Sequence, residues 1–206
     1  TPSLAGSTPE VLIGQVAVRT SRIRVGSGGV MLSHYSALKV AENFRMLETL
    51  FPGRIDLGIG RAPGSDQRTA RALAVGPGML DIENFPNQVA DLLGFLHDRL
   101  DPAHPFAGVH AMPQGPGAPE VWLLGSSDAS AALAAHFGTA FAFAHFINSE
   151  GGAGVTRAYA KNFRPSATLT APQASLAVFV ICADTEAEAH RLALSRDLSS
   201  LRLRTG

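Results

Sequence analysis

The chain holds 206 residues, with 17 basic side chains balancing 17 acidic ones, which argues against nucleic acid or an acidic membrane as partner. A single cysteine, Cys182, excludes an internal disulfide and any cysteine-built metal centre. Charged residues make up 17% of the chain, below the roughly one quarter usual for soluble domains, which suits a large interior or a face hidden against a partner.

The opening Thr1-Pro2-Ser3-Leu4 has neither a basic segment nor an apolar leader, and reads as a start inside a longer protein. No run of about 18 apolar residues is present to cross a bilayer, so a cytoplasmic setting is expected. The apolar spacing from Pro9 to Arg19 predicts a helix capped by Thr8. Ile23 through Leu32 is the first strand. Ser36 to Leu50 is a helix with Leu38, Val40, Ala41, Phe44, Leu47 and Leu50 on its apolar face, stopped by Phe51-Pro52-Gly53. Arg54 to Gly60 is the second strand, followed by a Gly/Pro/Ser-rich loop and a helix over Phe85 to Leu100. Asp101 to Pro119 reads as loop from its prolines and glycines. Glu120 to Gly125 is the third strand, Asp128 to Phe137 a helix, Thr139 to Ile147 the fourth strand and Gly154 to Phe163 a helix. Ser175 to Cys182 is the fifth strand, and Thr185 to Leu198 a last helix begun by a Thr-Glu-Ala-Glu cap.

Strands separated by helices imply a parallel sheet with right-handed crossovers, hence a doubly wound sheet or a (β/α)8 barrel. No Gly-x-Gly-x-x-Gly turn or Walker loop is present, which weakens the doubly wound dinucleotide-binding alternative. A barrel normally takes about 250 residues and eight strands, so five strands of ordinary length imply missing pieces.

In such a barrel the chemistry gathers at the carboxyl ends of the strands. Those ends offer glycines, hydroxyls, one arginine and one histidine, with no carboxylate pair, a set better suited to a phosphate and a flat ring than to hydrolysis. Arg61 follows the second strand, where a guanidinium grips phosphate through bonds worth about 1.5–3 kcal/mol each or pairs with a carboxylate such as Asp66. Gly125-Ser126-Ser127 joins a strand to a helix, and its amides form an anion site or Ser127 and Asp128 simply cap the helix. Gly26-Ser27-Gly28-Gly29 inside a strand marks a bulge or a close ligand. His145 sits in an aromatic strand end, where an isolated histidine is more often a core residue. His34 and Tyr35 follow the first strand towards the same mouth, and Trp122, central in a strand, reads as core.

From Gly28 to Phe44 and from Pro52 to Gly64 the chain closely resembles the luciferase-like monooxygenases, and Val121 to Ser127, Ala134 to Gly138 and Ala144 to Asn148 follow the same family's order. That resemblance implies a (β/α)8 TIM barrel, incomplete here, over residues 1–206, with about five βα units. The family's first two strands and its last would lie outside this stretch. It implies reduced FMN at the carboxyl face, reacting with O2 to oxidise a small, apolar, possibly aldehyde-type substrate. Arg61 would contact the flavin phosphate, with the Gly125-Ser126-Ser127 turn completing that site. Gly28 and Gly29 would match a pair joined by a non-prolyl cis peptide under the ring, which Met31 and His145 would also line. No catalytic residue is assigned, since the family's flavin-site histidine would precede Thr1. Ser33 and Ala37 stand where relatives often carry proline. A separate flavin reductase and a homodimer are expected. Hydride transfer with a deazaflavin coenzyme, or flavin binding without catalysis, are the alternatives.

Overall fold

The computed structural model describes residues 6–62, 67–73, 82–115 and 117–205. Its contacts divide the chain into two compact units, Thr1–Leu176 and Ala177–Gly206. The elements run in the order α1 (Pro9–Arg19), β1 (Val25–Gly26), β2 (Val30–Met31), α2 (Ala37–Leu50), β3 (Ile55–Gly60), α3 (Gln67–Leu73), α4 (Phe85–Leu96), β4 (Glu120–Gly125), α5 (Asp128–Phe137), β5 (Ala140–Ala144), α6 (Gly152–Asn162), β6 (Ala174–Ala177) and α7 (Glu186–Thr205). The sheet order is β1-β3-β4-β5-β6, with β2 also on β3, and the β1–β3, β2–β3, β3–β4 and β4–β5 pairings are all parallel. Helices separate most of the strands, so this is an α/β fold consistent with part of a (β/α)8 barrel.

The first strand departs from the expected continuous run. Gly26 pairs with Asp56 and Val30 with Ile59, so four steps on one strand match three on the other, and the extra residue is a bulge. Ser27 is buried there, its hydroxyl donating to Gly58 O at 2.8 Å and accepting from Gly58 N at 3.0 Å. A serine side chain thus stands in for the missing ladder partner. The backbones approach so closely that a Cβ on Gly29 would lie 2.6 Å from Gly58 O, and one on Gly58 would strike Ser27 O.

Two further strands are shorter than expected. β5 stops at Ala144, where His145 N and Ile147 N turn back onto Phe143 O and Ala144 O. The run to Cys182 forms strand only as far as Ala177. Val178, Phe179 and Val180, beyond its end, are exposed. The loop expected after β3 contains α3, and α4 ends at Leu96 rather than Leu100. In the second unit, Thr185 Oγ1 accepts from Glu188 N at 3.2 Å, the N-terminal cap expected for α7.

Ile55, Leu57 and Ile59 of β3, Leu123 of β4 and Phe141 and Phe143 of β5 form the centre of the core, covered by Phe44 of α2 and Val89 and Leu92 of α4. Buried Ala131, Ala134 and Ala135 give α5 a small-residue face, and α5 packs against α6. Trp122 is only half-buried and donates from Nε1 to Asp56 Oδ1 at 3.3 Å, a correction to its reading as core. An indole N–H needs an acceptor, and Asp56 supplies it at the sheet surface.

The most buried charge is Arg45, 2% exposed on the inner face of α2. It donates to the carbonyls of Phe95, Leu96 and Pro113 and to Asp98 Oδ2 at 2.9–3.2 Å. A cation at the end of α4 thereby satisfies its terminal carbonyls and meets the negative end of its dipole. Asp98 adopts a left-handed φ of 51° just past that end. Burial works to raise the Asp98 carboxyl pKa, but hydrogen bonds from Arg45 and His110, together with their charges, hold it below the usual carboxylate range. A depressed carboxyl pKa adds stability that is present near neutrality and fades as pH falls through the folded-state value. Asp98→Asn is therefore expected to flatten the acid side of the stability profile. Denaturant unfolding between about pH 7 and pH 3 measures this, and parallel curves for the two proteins would show that Asp98 contributes nothing.

Candidate functional site

The parallel register sets which residues share the carboxyl edge. Met31 pairs with Gly60, Gly60 with Leu124, and Gly125 with Phe143. Arg61, Ser126-Ser127 and His145 therefore leave the sheet at the same end, each one or two residues beyond these rungs. Gly28 and Gly29 lie in the bulge just before β2, and the peptide bond joining them is cis.

The local chemistry differs along this edge. Arg61 is exposed, and among the described residues no hydrogen bond or ion pair occupies its guanidinium. Asp66, the carboxylate proposed to neutralise it, lies outside the described residues. Ser127 is the N-cap residue of α5, yet its side chain makes no capping bond. Its Oγ lies 3.5 Å from Ser130 Oγ, so neither hydroxyl takes up the first amides of the helix. Those amides and the positive end of the α5 dipole suit an anion, although exposed Asp128 in the first turn offsets part of that charge. Arg61 and the start of α5 thus lie at the same edge of the sheet.

Gly125 lets α5 approach its strand. A Cβ there would collide with both Cβ and Oγ of Ser130. Gly125→Ala is accordingly expected to cost about 1–3 kcal/mol through overpacking, and adding Ser130→Gly should restore part of it. Urea denaturation of the single and double variants reads this out, and a single variant as stable as the parent would contradict it.

His145 is half-buried in the turn after β5. The same turn carries Asn148, whose Nδ2 reaches Ser126 O at 3.5 Å and whose Oδ1 accepts from Glu150 N at 3.1 Å. Asn148 thus links the loops after β4 and β5, a link between residues 22 apart that no local pattern announces. Ser130 is a second residue that sequence reading passed over, and its i+3 spacing from Ser127 was the available signal. His34 is buried in a short 3-10 turn after β2. Beside it Tyr35 has its phenol pKa raised by burial and by the charge of Glu10. Among the described residues no group of three or more His, Cys, Asp or Glu could hold a metal ion, and no helix is long and apolar enough to cross a membrane.

The parallel α/β sheet, with glycines along its carboxyl edge, is consistent with part of a (β/α)8 barrel. The luciferase-like monooxygenase family model matches residues 2–203, and the chain belongs to that family. It is 54% identical over 198 residues to the uncharacterized protein YwcH of Bacillus subtilis, covering 96% of this chain and 59% of that protein. It is 44% identical over 203 residues to a luciferase-like monooxygenase of Escherichia coli, again spanning 98% of this chain and 59% of the relative. Among solved structures, apo-MsnO8 matches with a TM-score of 0.81 and 40% identity over 96% of this chain and 57% of its own. The oxygenating constituent of 3,6-diketocamphane monooxygenase from Pseudomonas putida, solved with FMN, shares the fold. Its TM-score is 0.57 and its identity 21%, over 91% of this chain and 56% of its own. The chain thus spans somewhat over half the length of these relatives.

Proposed function

We propose that the intact protein is an FMN-dependent monooxygenase that oxidises a small apolar organic substrate with O2. The observation that carries this reading is the shared register of Arg61 and Ser126-Ser127 at one strand edge, each with unspent hydrogen-bonding capacity among the described residues. In this reading the guanidinium of Arg61 and the amides at the start of α5, beginning at Gly125-Ser126-Ser127, hold the dianionic phosphate. Gly28, Gly29 and Met31 border the ring, and His145 flanks it from β5. Bound in reduced form, FMN would supply the electrons for oxygen activation, while the protein orients the ring, admits the substrate and excludes bulk water. Reduced flavin would come from a separate reductase, and the protein would act as a cytoplasmic homodimer.

The fit of the residues present is favourable. A single guanidinium and a helix start match a phosphomonoester in charge, and glycine at 28 and 29 leaves the backbone accessible to a flat ring. Titration with FMN, followed by flavin fluorescence, should give saturable binding and a raised melting temperature. Absence of both would end the reading. NADH-dependent oxygen uptake with an added flavin reductase should accompany binding, whereas tight binding without uptake would point to a non-catalytic flavin carrier. Preference for a reduced deazaflavin over reduced FMN would reassign the chemistry to hydride transfer.

A further inference from the structure

One face of the sheet carries Ile55, Leu57, Ile59, Leu123, Phe141 and Phe143, all in the buried core. Alternation along the strands puts Gly58, Gly60, Trp122 and Leu124 on the other face. Near the carboxyl edge the register aligns Met31, Gly60, Leu124 and Ala142 into one rung across four strands. All four are partly exposed, and none belongs to the core. The rung lies just inside Arg61 and Gly125.

The glycines beside this rung have a structural reason to be glycine. A Cβ on Gly26, Gly29 or Gly58 would strike the backbone oxygen of Asp56, Gly58 or Ser27 across the bulge. Gly60 differs. Its φ lies outside the left-handed region, and among the described residues no atom comes within 4 Å of where its Cβ would stand. Glycine weakens a strand, and it is kept there for a bulge, a close backbone or a close ligand. At Gly60 no backbone comes close and the ladder is regular, which leaves the ligand.

The space at Gly60 has a shape. Adjacent strands lie about 4.8 Å apart, so the backbones at Met31 and Leu124 flank it at about 9.5 Å. Two carbon–carbon contacts of about 4 Å fit across that width, which admits one chain of methylenes. Towards the amino end the notch closes at Gly58, where Leu124 Cδ1 would lie 2.9 Å from an added Cβ. It is therefore an apolar notch one side chain deep.

We infer that Gly60 is a specificity-determining residue, and that the notch between Met31 and Leu124 takes the unbranched alkyl end of the ligand. Naming that ligand as the substrate rests on the monooxygenase reading; the notch itself does not. A quaternary carbon is too wide for the gap, so branching at the chain end is what the site rejects.

The probes are 1-hexanol and its isomer 3,3-dimethylbutan-1-ol, titrated into the 15N-labelled protein without flavin. 1-Hexanol should give saturable shifts at the amides of Met31, Gly60 and Leu124 and bind at least about fivefold more tightly than the branched isomer. Gly60→Ala should weaken 1-hexanol severalfold and Gly60→Val at least about tenfold, by filling the notch. Both variants should melt at or above the parent temperature, since each replaces a strand glycine where no neighbour is struck. FMN affinity should be unchanged in both. Equal affinity for the isomers, shifts confined to other residues, or a valine variant that binds 1-hexanol like the parent would each overturn the inference. A lowered melting temperature in Gly60→Ala would make the glycine structural, and weakened FMN binding in both variants would give the notch to the flavin ring. A parent that binds 1-hexanol as described but not FMN would end the flavin reading and leave the notch standing, and FMN binding without 1-hexanol binding would do the reverse.

Discussion

Replacing Arg61 by alanine is expected to weaken FMN binding by about 10- to 100-fold, the loss of one or more charge-assisted bonds to a phosphate. The side chain is exposed and makes no bond among the described residues, so the melting temperature of the flavin-free protein should stay within about a degree of the parent, as is usual for surface substitutions. This separation makes the experiment informative, because a structural arginine would lose stability first. Arg61→Lys keeps the charge but not the planar fork and should fall between the two. Flavin fluorescence titration of the three proteins measures the series. An alanine variant that binds FMN as tightly as the parent would remove Arg61 from the phosphate site.

The largest effect on stability should come from Arg45. Arg45→Met removes a cation that joins α2, the last turn of α4 and the segment at Pro113. Its loss leaves three carbonyls without that donor, at about 1–3 kcal/mol for each that stays buried and unpaired, while Asp98 is itself exposed and adds little. Arg45→Lys retains the charge, yet one ammonium cannot reproduce four bonds in these directions, and it should recover less than half of the loss. Equilibrium unfolding in urea decides the matter. A methionine variant within about 1 kcal/mol of the parent would mean that packing around residue 45 matters more than its bonds.

Arg45 also shows where sequence reading reaches its limit. The α2 periodicity correctly placed Val40, Ala41, Phe44 and Leu47 inside, but it gave no reason to bury Arg45 and Glu48 beside them, and Leu50, assigned to the same face, is 60% exposed. The acceptors that make an internal guanidinium tolerable come from residues 50 to 68 positions away, and no local pattern encodes them. The helices α1 and α5 were legible to the residue because Pro9 and Gly138 mark a start and an end. Strand ends were less so. Thr139 to Ile147 looks uniformly strand-like, yet the sheet ends where the chain turns back on Ala144, and β6 stops at Ala177 although the apolar run goes on. For the candidate site, the order of Arg61, Ser126-Ser127 and His145 at one edge followed from parallel topology alone. The contact of Asn148 with Ser126, and the fit of Ser130 against Gly125, required coordinates.

The bulge at Ser27 carries a consequence for chain length. Val25 pairs with Ile55 and Val30 with Ile59, so both valines face the same side although five positions separate them. In an unbroken strand an odd separation would send them to opposite faces. Removing a single glycine here would make the separation even, so an unbroken strand would keep both valines on one side and the bulge would vanish. The extra residue therefore serves the bulge rather than the facing of the valines, and a one-residue deletion should spare the packing of Val30 while endangering the two bonds between Ser27 and Gly58.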